Sequence, residues 1–252
     1  MKDFITKYWK TLVLFGIVGL VGGFFTGIYA LDSYPAQMQQ EILSQGITKP
    51  ILGLVSAVQS TGYGVVLGAV GIFLAGKTGL WKDEITIAKK PLMITVAVSA
   101  AGGLCLILPD ILLFGKYSQV IMDSYAVKPS VPFMLAAVLY GGVIEEVMMR
   151  LFMMSLVVFI LHKIFGKKAE YPATGILMAA NVVAALLFAA GHLPATAATI
   201  GITPVILIRC FLLNGGFGLL FGWLYRKYGL RYAMIAHGGC HVVSKLIWIL
   251  FI

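Results

Sequence analysis

The chain is a series of long apolar stretches separated by short polar ones. Apolar residues dominate roughly 12–31, 51–76, 92–113, 131–161, 174–199, 204–225 and 232–252. Each stretch reaches or exceeds the roughly 20 residues that carry a helix across a hydrocarbon core. The expected fold is therefore all-α: a polytopic membrane protein, a bundle of about seven transmembrane helices. Six to eight is the range, because 131–161 is long enough to tilt, break or hide an extra turn. No polar linker separates two units, so 1–252 is expected to form a single transmembrane domain. The first apolar run follows Lys2, Lys7 and Lys10 in the manner of a signal peptide. It is longer than the usual h-region of about 7–15 residues, and a retained helix is expected. Between the first two runs, Tyr34, Pro35, Met38, Ile42 and Leu43 lie among Gln and Ser, a pattern that fits a short surface helix or a loop. Gly218 and Gly222 stand at helical spacing, where small residues let membrane helices approach closely.

Composition agrees. Hydrophobic residues make up 60% of the chain and charged residues 12%, with a mean hydropathy of +0.96; a soluble domain carries about 25% charged residues. The net charge of +9 raises the question of nucleic acid, and position answers it. Thirteen of the 19 Lys and Arg residues fall in four clusters: Lys2, Lys7 and Lys10; Lys77, Lys82, Lys89 and Lys90; Lys163, Lys167 and Lys168; and Arg226, Lys227 and Arg231. Each abuts an apolar run, and the alternate connections hold only Lys49, Lys116 and Lys128. That is the positive-inside asymmetry, not the single basic surface of a nucleic-acid binder. It predicts a multi-pass protein of the cell membrane with a cytoplasmic amino terminus and no nucleic-acid partner. Cys105, Cys210 and Cys240 lie unpaired in apolar runs and read as small buried residues.

Ionisable side chains inside those runs change the picture, because a charge near the bilayer centre costs about 2.5–3.5 kcal/mol on insertion scales. Glu145, Glu146 and Arg150 share one apolar stretch, His192 follows Leu-Leu-Phe-Ala-Ala-Gly, and His237 and His241 sit in the last run. Glu146 and Arg150 are four apart, so they share a helix face and pair. Glu145 is rotated by about 100° from Glu146 and remains available as a general base. His237 and His241 share a face in the same way, as do Phe188 and His192. Bland readings stand beside these: a helix-to-helix clamp for Glu146 and Arg150, and histidines bonded to backbone in a packed bundle. Asp110, after Pro109, is expected at a helix end near the outer surface. Arg209 and Lys245 are expected to snorkel or pair.

Glu145-Glu146-Val-Met-Met-Arg150, Phe188-Ala-Ala-Gly-His192 and His237-Gly-Gly-Cys-His241 occur in that order. They resemble the EExxxR, FxxxH and HxxxN-type motifs of the CPBP family, the CAAX proteases and bacteriocin-processing (Abi) enzymes. The resemblance covers about 130–245, a CPBP-like catalytic core, and implies an intramembrane endopeptidase acting on a peptide or membrane-protein substrate within the lipid bilayer. By that resemblance Glu145 and His192 activate water, His237 and His241 stabilise the oxyanion, and Glu146, Arg150 and Phe188 support the site. The chain departs from the pattern at His241, where the family usually has Asn or Asp, and at Met149 and Leu151, where Phe-Arg-Gly is common. With His at 241, no cofactor is the leading expectation, but Glu145, His192, His237 and His241 also make an alternative set of zinc ligands.

The catalytic reading requires the fifth run to continue as helix to about 199, with a kink at Pro194, so that His192 reaches inward. The position of His237, near the cationic end of the last run, suggests a site opening to the cytoplasm. Two other classes compete: a non-catalytic membrane scaffold, regulatory or immunity protein retaining the motifs, and a proton-coupled transporter. No inverted internal repeat supports the transporter.

Overall fold

The computed structural model describes residues 2–83, 87–166 and 169–252. Lys167 and Lys168 of the third cationic cluster, and the side chain of Lys2, lie outside the described residues. All regular structure among the described residues is helical. The elements are α1 (Lys2–Ser33), α2 (Ala36–Ser44), α3 (Lys49–Lys77), α4 (Lys89–Leu112), α5 (131–165), α6 (Thr174–Thr199), α7 (Pro204–Tyr228) and α8 (Leu230–Phe251). Six of them, all but α2 and α5, are long and apolar enough to cross a membrane. Helix α5, which carries Glu145, Glu146 and Arg150, runs unbroken through 131–165. The protein is thus a polytopic all-α membrane protein, as the apolar runs predict.

Contacts between helix ends sort the bundle into two poles. At the cationic pole, Lys7 at the start of α1 pairs with Asp83 beyond α3 at 2.7 Å. Lys82 Nζ donates to the Lys227 carbonyl at 2.5 Å, and the Tyr232 hydroxyl accepts from Ala88 N at 2.9 Å. At the opposite pole, Lys49 pairs with Asp32 at 2.5 Å. There Lys128 Nζ also donates to the Trp248 and Ile249 carbonyls near the end of α8, both at 3.2 Å. Lys7, Lys82 and Lys227, from three of the four clusters, therefore gather at one end of the bundle. Short helix α2 lies at the other with none of its residues buried.

Outward faces carry exposed Leu20, Val58, Met93, Val182 and Ile208, which need lipid as solvent. Inward faces use small residues to bring backbones together. Gly19 and Gly23 of α1 face the backbone of α3 so closely that an added Cβ would stand 2.5 Å from the Ser60 and Ser56 carbonyl oxygens, the close-approach packing of membrane helices. Gly218 packs on Ala185 and Gly222 on Asn181, which seats α7 against α6. The tightest packing lies toward the cationic pole, where Leu151, Met154, Val158, Leu224 and Tyr225 have no exposure.

One expectation needs correction. Cys105 is exposed on α4, whereas Cys210 and Cys240 are buried. Asp110 sits near the end of α4 at the pole away from the lysines, as expected, and is wholly buried there. Arg209 grips it through two bonds of 2.5 and 2.6 Å, and the Tyr125 hydroxyl donates a third at 2.8 Å. A carboxylate met by a bidentate guanidinium has its charge compensated inside the protein, so it need not reach the surface.

Candidate active site

The motif residues converge from three helices. In α5 the backbone around the acids winds in π-helical turns, Ala136–Glu145 and Val147–Met154, with Glu146 between them; such turns are frequent at functional sites. The wider winding leaves Glu146 and Arg150 together, with Arg150 Nη1 at 3.2 Å from Glu146 Oε1 and both side chains buried. Arg150 also donates to the Gly218 carbonyl at 3.3 Å and lies over the Phe188 ring, 4.6 Å from its centroid. It thus clamps α5 to α6 and α7, as the clamp reading proposed.

Helix α8 meets α5 where both lack side chains. A Cβ on Gly142 would stand 2.8 Å from the Gly238 Cα, and one on Gly141 would stand 3.1 Å from His241 Nε2. This glycine crossing lets His237 reach between the two acids. Its Nδ1 lies 2.8 Å from Glu146 Oε1 and its Nε2 lies 3.9 Å from Glu145 Oε2. Because a carboxylate only accepts, Nδ1 carries the proton donated to Glu146. The ring stacks on Phe221 with centroids 4.6 Å apart and meets Phe188 edge-on. The bond from His237 to Glu146 was not foreseen from sequence, which linked Glu146 only to Arg150.

His192 interrupts α6. The helix Thr174–Gly191 ends there and resumes as Leu193–Thr199, with Pro194 in the first turn of the second piece, where its missing N–H breaks no helical bond. Helical structure thus continues to Thr199, as the catalytic reading requires, but the break falls at His192 itself. His192 Nδ1 donates to the Phe188 carbonyl at 2.8 Å, since a carbonyl oxygen only accepts. In the neutral ring Nε2 then keeps its lone pair.

His241 differs. Lys245, one turn further along α8 and almost buried, lies with its Nζ 3.4 Å from His241 Nδ1 and 4.4 Å from the centroid of the Phe133 ring. An ammonium only donates, so it favours the tautomer with the proton on Nε2. The two contacts thus favour opposite chemistry, a lone pair at His192 Nε2 and an N–H at His241 Nε2. The signal for Lys245 was in the sequence: His237, His241 and Lys245 continue one helical face at steps of four.

Glu145, His192 and His241 line a single cavity of about 490 Å³, with Tyr29, Phe133, Tyr140, Met148, Met149 and Phe188 among its walls. His237 lies behind it, buried beside Glu145. The cavity occupies the half of the bundle away from the cationic pole: Tyr29 is near the end of α1, Phe133 near the start of α5 and Ala195 near the end of α6. This reverses the opening expected from His237. Toward the cationic pole, Leu151, Met154, Phe221 and Leu224 fill the space beneath the acids. Among the described residues, no group of three or more His, Cys, Asp or Glu is arranged to hold a metal ion.

An acid and histidines of complementary protonation, held in an apolar cavity, suit water-mediated attack on a carbonyl. Comparison with known proteins points the same way. No curated protein and no solved structure matches the chain. Residues 127–243, a little under half of the chain, match the family model described as type II CAAX prenyl endopeptidase Rce1-like. That segment contains all three motifs, while Tyr29 of the cavity wall and Lys245 beside His241 lie outside it.

Proposed function

We propose that this protein is an intramembrane endopeptidase of the glutamate type, hydrolysing a peptide bond within the cavity by metal-free activation of water. Glu145 and His192 are the general bases. Each has an acceptor atom available: Glu145 is left out of the pairing that occupies Glu146, and His192 Nε2 is freed by the bond from Nδ1 to Phe188. Water placed between them loses a proton as its oxygen attacks the scissile carbonyl, and the proton then passes to the leaving amine. The His241 Nε2–H, on the same cavity wall, donates to the oxygen on which negative charge develops. It takes the place of the amide donor usual in the family, with Lys245 holding its tautomer. His237, held by its bond to Glu146, lies 3.9 Å from Glu145 and packs behind that acid.

The observation that carries this reading is the division of labour between adjacent acids. Glu146 has no exposure and is bound to Arg150 and His237, while Glu145 opens onto the cavity with His192. A scaffold would need the clamp but not the second acid. The test is cleavage of internally quenched peptides by purified protein, with and without a chelator. Hydrolysis that survives the chelator supports the proposal. Hydrolysis abolished by the chelator and restored by zinc overturns the metal-free step. No hydrolysis across a broad peptide set favours the scaffold.

A further inference from the structure

Beyond the cavity, toward the pole opposite the lysine clusters, lies a second hollow of about 540 Å³. Its walls include Asp32, Asp123, Ser124, Lys128 and Ser130, contributed by the end of α1 and the connection between α4 and α5. Tyr29 and Phe133 line both hollows. Their rings stack at 4.2 Å with an interplanar angle of 11°, and Trp248 meets Phe133 edge-on at 6.1 Å. The outer hollow is the more polar of the two and carries both signs of charge; the inner one is mostly apolar apart from Glu145, His192 and His241. A third hollow, at the cationic pole, is lined by Lys7, Trp81, Lys82, Asp83 and Arg231 and shares no wall with the other two. The buried layer of Leu151, Met154, Leu224 and Tyr225 stands between that pole and the acids.

We infer that the substrate reaches Glu145 from the pole opposite the lysine clusters, and that this pole is the extracytoplasmic one. The outer hollow is the entrance. Main-chain amides and side chains flanking the scissile bond rest against its polar wall, while the segment to be cut passes the Tyr29–Phe133 pair into the apolar cavity. The orientation follows from the lysine clusters, which favour the cytoplasmic side. The class of substrate follows from the orientation: an extracytoplasmic juxtamembrane peptide, such as the outer flank of a membrane anchor or of an exported precursor, rather than a cytoplasmic carboxyl terminus. This assignment rests on the peptidase reading, but its geometry is testable without peptidase activity.

The experiment places single cysteines in the full-length protein with Cys105 replaced by Ala. Ala137→Cys lies on the inner cavity wall, Ser130→Cys in the outer hollow and Lys227→Cys at the cationic pole. Cells are treated with a membrane-impermeant cationic methanethiosulfonate before or after permeabilisation, and the parent without added cysteine is the blank. Ser130→Cys and Ala137→Cys should react in intact cells, and Lys227→Cys only after permeabilisation. Reaction of Ala137→Cys only after permeabilisation overturns the entrance, and reaction of Lys227→Cys in intact cells overturns the orientation. Detergent-solubilised protein that cleaves quenched peptides, together with right-side-out vesicles that do so and inverted ones that do not, extends the result to the substrate. Cleavage by inverted vesicles alone sinks the entrance while leaving the peptidase reading intact. Correct labelling without cleavage in detergent sinks the peptidase reading alone.

Discussion

Two buried acids pair with arginines in this bundle, and they differ in what surrounds them. Asp110 and Arg209 join α4 to α7 through a bidentate pair, and Tyr125 closes the remaining side. Every group there is satisfied by another, and the cluster presents no second acid or imidazole. Glu146 and Arg150 also join helices, but His237 extends the pair and leads directly to Glu145 on a cavity wall. Burying a charge inside an apolar bundle is therefore not by itself a sign of chemistry. What marks the second cluster is an acid that the clamp leaves free, beside histidines whose other nitrogens are already committed.

The comparison can be broken in several places. Outside the two adjacent acids, the largest expected effect is on His192. His192→Ala should lower the rate of peptide hydrolysis by about 10²–10⁴-fold, the usual contribution of a positioned acid–base group, without shifting the melting temperature. A comparable loss of stability would make His192 structural. At the closed cluster the pattern should invert. Asp110→Ala strands the Arg209 guanidinium, which is 27% exposed, and should cost somewhat less than the roughly 3–5 kcal/mol of breaking a fully buried pair, with residual folded protein hydrolysing peptide at the normal rate. Unfolding in mild detergent followed by tryptophan fluorescence checks the first part, and activity per folded molecule checks the second. Smallest is Lys245→Met. It removes the partner that favours the His241 tautomer but leaves the imidazole in place, so the loss should stay below the roughly 10²-fold that removing an oxyanion donor costs. Restoration by Lys245→Arg, which still donates, separates this role from packing on Phe133.

The helices were legible because a membrane span needs a long apolar run, and no other requirement competes with it in α1, α3, α4, α6, α7 and α8. Helix α5 was the uncertain one, since its π turns follow from tertiary packing around the acids rather than from the apolar pattern. The pairing of Glu146 with Arg150 was also readable, being a consequence of spacing on one helix. Contacts between helices were not. Nothing local places His237 against Glu146, which depends on the close approach of Gly142 to Gly238. The partner of Asp110 was unreadable for the same reason: it lies 99 positions away in sequence. The direction of the cavity was misread because depth along one helix, His237 on α8, says little about where neighbouring helices separate.

The division between the two adjacent acids is tested most directly by purified Glu145→Gln and Glu146→Gln proteins, each assayed for peptide hydrolysis and for thermal unfolding. The account predicts that Glu145→Gln melts like the parent and hydrolyses nothing measurable, while Glu146→Gln melts earlier because Arg150 and His237 lose their shared partner. Undiminished hydrolysis by Glu145→Gln would contradict it.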